Sequence, residues 1–205
     1  MAKKKILLFG GTFNPIHNGH LIVSRYIGEQ LGMNKVVIIP NGHPPHKEKS
    51  ISSTHRYNMI KAAVSEGDNV DTFFDICRYE IEKKTPSYAI ETVRYFKRTL
   101  GDTIDQPYWV IGPDNVDDIK NWYKIDELKK ECIFVVGVNI PTISAFQSTH
   151  QRTLEGFDIK TVIIPHIDIR STDIRDRVKQ GLLIRHYVPD AVEEYIGENG
   201  LYRTN

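Results

Sequence analysis

The chain is poor in cysteine: 205 residues hold only Cys77 and Cys132. Two thiols so far apart fit neither a disulfide framework nor a zinc spacing. Cys132 opens an apolar run and reads as a buried free thiol. An excess of either charge is missing too, with 27 Lys and Arg against 26 Asp and Glu and a net charge of +1. That leaves no bulk electrostatic case for nucleic acid or a membrane surface. Lys3-Lys4-Lys5 is a short basic run that reads as a solvated lead into the first strand. No apolar run approaches the roughly 18 residues of a spanning segment, and no signal-peptide pattern opens the chain. Internal repeats and low-complexity stretches are also lacking. The expectation is a cytoplasmic protein of one domain, 1–205, with a C-terminal helical portion from about residue 171.

What is present is an alternation. Ile6–Phe9, Val36–Ile39, Tyr108–Ile111, Ile133–Val138 and Val162–Ile164 read as buried strands, and 72–81 contains another. Between them lie helical patterns. These are Leu21–Leu31, with Gly32 as its C′ residue, and a segment capped by Ser53 or Thr54 that runs to about Glu66 and stops at Gly67. Three more are a helix opened by Pro86 and Ser87 and reaching about Arg98, then Ser171–Gly181, then Ala191–Asn199. The pattern predicts an α/β fold, a Rossmann-like open and mostly parallel sheet with helices on both faces. Residues 139–158 are the least patterned and read as a surface excursion.

Polar residues cluster just after the strands, at 10–20, 41–47, 112–114 and 170–175. In an open parallel sheet those strand ends share one edge, where ligands bind. The first cluster is the most informative: Gly10-Gly11-Thr12-Phe13-Asn14-Pro15-Ile16-His17-Asn18-Gly19-His20. Two glycines let the backbone turn and let a bulky anion approach. The helix start behind them leaves N–H groups for that anion, and His17 and His20 share one face of its first turn. No Gly-Lys-Ser/Thr follows, so this is not a Walker loop, nor is it G-x-G-x-x-G. His43-Pro44-Pro45-His46 is a second H-x-x-H, but its prolines hold it in extended backbone, so zinc is not the preferred reading and the metal assignment is none.

The Gly10–His20 segment resembles the signature of the nucleotidyltransferase superfamily with the two-histidine motif. The likeness extends over nearly the whole chain to the bacterial nicotinate mononucleotide adenylyltransferases. Pro40–Lys47 is similar to their loop after the second strand. Ile169-Arg170-Ser171-Thr172-Asp173-Ile174-Arg175 resembles I-S-S-T-x-I-R. Pro86–Thr92 resembles P-S-Y-T-x-x-T, Ile111–Asp114 resembles I-G-x-D, Trp122-Tyr123 with Leu128 resembles W-Y-x-x-x-x-L, and Tyr195-Ile196 with Gly200–Arg203 resembles the closing segment. The resemblance implies ATP binding by Gly10, Gly11, Thr12, Phe13, His17, His20, Gly112, Asp114, Ser171, Thr172 and Arg175. It implies a pyridine mononucleotide site at Asn14, Lys47, Tyr88, Ala89, Trp122 and Tyr123. Catalysis would fall to His17, His20, Lys47 and Arg175. One helix N-terminus contributes only about 0.3–1 kcal/mol, up to ~2 when partly buried, so these cations and a Mg²⁺ carried by ATP must share the charge of two polyanions. Ser171 or Thr172 is expected to cap its helix.

Four positions depart from the family pattern: Arg170 for Ser, Ala89 for Thr, Asn14 for the commoner Asp, and Asn139-Ile140-Pro141-Thr142 for K/R-R-P-G. The last three leave nicotinamide mononucleotide open as the preferred or equal acceptor. Other enzymes of the superfamily, a phosphopantetheine adenylyltransferase or a cytidylyltransferase, would not need Trp122-Tyr123. A non-catalytic nucleotide sensor is the alternative of another class, and the intact His17, His20, Lys47 and Arg175 argue against it. The expected partners are ATP and a pyridine mononucleotide, with a homo-oligomer left open.

Overall fold

The computed structural model describes residues 3–42, 51–66, 69–150, 153 and 155–203. In chain order its elements are β1 (Ile6–Gly11), α1 (Asn18–Gln30), β2 (Lys35–Pro40), α2 (Ser53–Val64), β3 (Ser65–Glu66), β4 (Asn69–Val70), β5 (Phe74–Ile76), α3 (Tyr79–Glu82) and α4 (Ala89–Leu100). There follow β6 (Tyr108–Ile111), α5 (Ile125–Glu131), β7 (Ile133–Val138), α6 (Ile143–His150), β8 (Ile159–Ile163), α7 (Ser171–Lys179) and α8 (Asp190–Glu198). Six strands form one sheet in the order β5-β2-β1-β6-β7-β8, every pair parallel, while β3 and β4 make a separate antiparallel ribbon. This is the Rossmann-like sheet that the alternation predicts. Strand order reverses between β1 and β6, which opens a crevice at their carboxyl ends.

Strands buried on both faces must be apolar at every position, which is why their sequences run without alternation. Leu7, Val36, Ile38, Val110 and Val135 face one layer, with Ile27 of α1, Met59 and Ile60 of α2, Ile174 of α7 and Ile196 of α8. Leu8, Val37, Ile39, Ile111, Phe134 and Val136 face the other, with Ile90, Val93 and Phe96 of α4, Leu128 of α5 and Phe146 of α6. Cys77 and Cys132 are buried free thiols in that second layer. Among the described residues no helix is long and apolar enough to cross a membrane.

Several boundaries differ from expectation. α1 starts at Asn18 rather than Leu21, because His17 caps it. Ser52, not Ser53 or Thr54, caps α2, its hydroxyl accepting from the His55 N–H at 3.3 Å. Gly67 lies outside the described residues. α4 begins at Ala89, not at Pro86 or Ser87, since Tyr88 keeps extended backbone. The last strand is Ile159–Ile163, and α7 and α8 close two and one residues early. Residues 139–158 are not an unpatterned excursion: a 3-10 turn, Ile140–Thr142, leads into α6. Phe146 is its buried anchor, and one anchor per two turns leaves little periodicity to read. Neither Ser171 nor Thr172 caps α7; Arg170 holds the cap position with no side-chain bond.

Phe134 is wholly buried in the middle of the sheet. Phe134→Ala should lower unfolding free energy by about 3–5 kcal/mol. Leu183→Ala, at a side chain 75% exposed, should change it by no more than about 0.5 kcal/mol. Urea unfolding at neutral pH measures both.

Candidate active site

The end of β1 lies at the crevice, and its glycines are there for space. A Cβ on Gly10 would come within 3.1 Å of the Trp109 ring, and one on Gly11 within 2.8 Å of the Phe13 ring. Phe13 itself has φ +49, a left-handed backbone that a bulky side chain rarely adopts. Its ring is fixed edge-on against Phe9, at 5.5 Å, and His20, at 5.1 Å. The loop's carbonyls are taken up from behind. Arg56 Nη1 donates to Thr12 O, Arg175 Nη1 to Asn14 O and Ser171 Oγ to Pro15 O, each at 2.8 Å. Tyr202 O–H donates to Asn14 Oδ1 at 2.7 Å.

His17 and His20 then cap α1 reciprocally. The His20 N–H donates to His17 Nδ1 and the His17 N–H to His20 Nδ1, both at 3.3 Å. Backbone N–H groups can only donate, so each Nδ1 accepts and each neutral ring carries its proton on Nε2. The rings stack at 3.6 Å. Burial pushes His17 down to about 4 and His20 well below the ordinary histidine range, a charge on His17 adding to the latter effect. Both are therefore neutral hydrogen-bond donors at neutral pH. They line a cavity of about 750 Å³. Its walls come from the carboxyl ends of four strands: Gly10 and Gly11 at the end of β1, Gly112 and Pro113 after β6, Asn139 after β7, and Pro165 and His166 after β8.

Of the predicted ATP residues, Gly10, Gly11, Phe13, His17, His20 and Gly112 meet in this cavity. Thr12 does not line it; its carbonyl is held by Arg56. Asp114 lies in the 3-10 turn Pro113–Asn115 at the cavity's rim. Ser171, Thr172 and Arg175 stand behind the loop. Arg175 reaches Asn14 O, and its Nη2 donates to Thr172 Oγ1 at 3.3 Å. Arg170 is exposed and paired with Asp168 at 3.1 Å. Among the residues expected to meet the pyridine, the Tyr88 and Tyr123 rings lie 4.4 Å apart. Tyr88, Ala89 and Trp122 pack on one apolar layer beside the cavity without lining it. Ala89 opens α4, and its N–H is among those a helix leaves without an intrahelical partner. Asn14 turns its side-chain oxygen to Tyr202. Lys47, with His43–His46, lies outside the described residues.

Three groups escape a sequence reading. Asn139 Nδ2 and His166 Nδ1 meet at 2.9 Å on the cavity wall. Arg56 is buried to 1% exposure, where burial lowers its pKa while a guanidinium keeps its charge. The available signal was position: Arg56 shares a helical face with the apolar Met59, Ile60 and Ala63. Glu80 is buried as well, accepting from Thr92 Oγ1 at 2.7 Å, with burial raising its pKa.

The cytidylyltransferase-like family model matches residues 8–177. The nicotinate-nucleotide adenylyltransferase of Bacillus subtilis is 34% identical over 98% of this chain and 100% of its own length. A Caldicellulosiruptor bescii protein named "Probable nicotinate-nucleotide adenylyltransferase" is 37% identical over 97% of this chain and 99% of its own. The solved Plasmodium falciparum nicotinic acid mononucleotide adenylyltransferase complexed with NaAD has the same fold, with a TM-score of 0.77, 19% identity and 97% of each chain covered. The chain belongs to the cytidylyltransferase-like family and, within it, to the nicotinate-nucleotide adenylyltransferases, and so is a nucleotidyltransferase.

The neutral histidine pair gives a pH dependence. The folded His17 imidazole resists a proton until about pH 4, whereas the unfolded one accepts it near 6.5. Stability is therefore full above about 6.5 and falls as pH drops toward about 4, because the unfolded state binds more protons there. Urea midpoints taken at neutral pH and at about pH 5 should fall farther for the wild type than for His17→Gln.

Proposed function

We propose that the protein transfers the adenylyl group of ATP to nicotinate mononucleotide, releasing pyrophosphate and forming nicotinate adenine dinucleotide in the cytoplasm as a step of NAD biosynthesis. The observation that carries this reading is the His17–His20 pair, two Nε2–H donors on the wall of the strand-end cavity. A 5′-phosphate oxygen of the acceptor attacks the α-phosphorus in line. The bond from that phosphorus to the pyrophosphate oxygen breaks as the new anhydride bond forms. The nucleophile is already ionised, so no covalent enzyme intermediate is needed. His17 and His20 hold the triphosphate, and its negative charge draws their pKa upward, against the effect of burial. Arg175 adds charge from behind the loop, and Lys47 serves the acceptor phosphate. Asp114 is assigned the ribose. Tyr88, Ala89, Trp122 and Tyr123 are assigned the pyridine, the start of α4 favouring an anionic carboxylate there.

Mg²⁺ enters with ATP. Among the described residues no group of three His, Cys, Asp or Glu is arranged to hold a metal, and the loop offers N–H donors, which suit phosphate oxygens. When bound, the ion neutralises charge on the departing pyrophosphate. Support for the two substrates comes from relatives bearing the nicotinate-nucleotide name. It also comes from the Plasmodium falciparum enzyme, which was solved in complex with APC and with NaAD.

The test is pyrophosphate release with ATP and each mononucleotide in turn. Nicotinate mononucleotide should turn over faster. A preference for nicotinamide mononucleotide would move the assignment to the amide, and no product with either would leave a nucleotide-binding protein. At saturating ATP, His20→Ala should reduce kcat by about 10²–10³-fold, the cost of removing one preorganised donor. A loss under about tenfold would remove His20 from transition-state stabilisation.

A further inference from the structure

Arg56 is the largest charged group inside the protein, and its placement is specific. It sits on the first turns of α2, on the face that Met59, Ile60 and Val64 bury. Nη1 donates to Thr12 O at 2.8 Å, while Nη2 donates to Asn41 O at 2.6 Å and Gly42 O at 3.3 Å. Thr12 follows β1 and Asn41 follows β2, just beyond the Gly11–Pro40 register pair. One guanidinium thus bridges the two strand ends where their ladder stops. Among the described residues it has no ion pair, and its Nε finds no hydrogen-bond partner. A buried cation without a carboxylate beside it is costly to keep unless hydrogen bonds compensate, and here the compensation comes from carbonyls of two separate strand ends.

The bridge continues. Gly42 lies so close to the Glu80 carbonyl that an added Cβ would stand 2.0 Å from it. The Glu80 carboxylate in turn takes the Thr92 hydroxyl of α4, the helix whose start carries Tyr88 and Ala89. A contiguous chain of contacts therefore runs from the β1 loop to the start of α4.

We propose that Arg56 is a positioning residue for adenylyl transfer, fixing the distance between the loop that receives the triphosphate and the segment at 41–42 that leads to the acceptor side. The inference rests on the two-substrate reading given above. The planar fork matters as well as the charge: it reaches carbonyls of two loops at fixed angles, and an ammonium cannot reproduce that. A misplacement of about 1 Å between two reactants can reduce turnover on the order of a hundredfold.

Arg56→Lys keeps the charge and loses the fork. It should lower kcat by at least about thirtyfold while ATP affinity, measured by calorimetry without acceptor, stays within about threefold of wild type. Gly42→Ala tests the same spacing with Arg56 intact, because its Cβ must displace the segment from Glu80. It should show the same split between turnover and ATP binding. Turnover of both variants within about threefold of wild type, assayed well below their melting temperatures, overturns the proposal and leaves Arg56 structural. If Arg56→Lys does not fold, Gly42→Ala decides alone: retained turnover overturns, selective loss of kcat supports. Wild type inactive with both mononucleotides would instead overturn the function reading, and this one with it. Wild type active beside unaffected variants overturns this one only.

Discussion

The site depends on how the carbonyls of the loop after β1 are held. The Thr12, Asn14 and Pro15 C=O groups are partly buried, and carbonyls withdrawn from water need donors. The donors are side chains: Arg56 from α2, and Ser171 and Arg175 from α7. A trans peptide points its C=O and N–H in opposite directions. Holding the Thr12 and Pro15 carbonyls from behind therefore aims the Phe13 and Ile16 N–H groups the other way. The left-handed Phe13 backbone, worth on the order of 1–3 kcal/mol of strain, persists because its ring is packed on both sides and its neighbours are tied. The loop's acceptors are satisfied on one side and its donors remain on the other, an arrangement that suits the phosphate proposed for it.

The electrostatics follow the same division. A net charge of +1 says nothing of a polyanion site, yet positive charge is concentrated behind this loop. Arg56 and Arg175 both donate to its carbonyls, and neither has an ion pair among the described residues. The histidines are handled differently. Burial keeps them neutral, so the folded protein does not carry two more buried cations stacked 3.6 Å apart. Their Nε2 protons still serve as donors, because the capping box uses up both Nδ1 atoms. Hydrogen bonding is thus fixed by the fold, while additional charge waits on whatever anion arrives.

How far sequence could lead depended on which signal a residue leaves. Strands buried on both faces leave uninterrupted apolar runs, and those runs located β1, β2, β6 and β7 and the edge on which Gly10, Gly112 and Asn139 meet; β8, with Lys160 and Thr161 exposed inside it, was met only at Val162 and Ile163. Helix starts were harder. α1 is capped by an imidazole, outside the usual Ser, Thr, Asp and Asn set, so the sequence puts His17 and His20 in a first turn but does not show His17 as the cap or Asn18 as the first helical residue. Ser171 looked like a cap and is a tether instead. Arg56 was invisible because a charged residue on a helix is ordinarily solvated, although its position within an apolar face carried the information. The pyridine-side group, Tyr88, Ala89, Trp122 and Tyr123, left no periodic or chemical signature of its own. It came from resemblance, and three of the four residues pack on one layer.

The last part of the chain completes the first loop. Beyond α7, the His186 and Tyr187 carbonyls accept from Asn18, at 2.8 and 2.9 Å, and so hold the start of α1. On α8, Tyr195 O–H meets His55 at 2.9 Å and Asn58 at 3.0 Å, both on α2, the helix that carries Arg56. Tyr202 then reaches Asn14. Residues separated by more than 180 positions therefore share one hydrogen-bonded shell. The loop is not a local strand–turn–helix unit, because its acceptors are satisfied by side chains of α2, of α7 and of the segment after α8. Local opening of that face would release the loop as well. The stability of the C-terminal packing is thus the stability of the site, which ties function to the complete assembly of the sheet's first layer rather than to the motif that first drew attention.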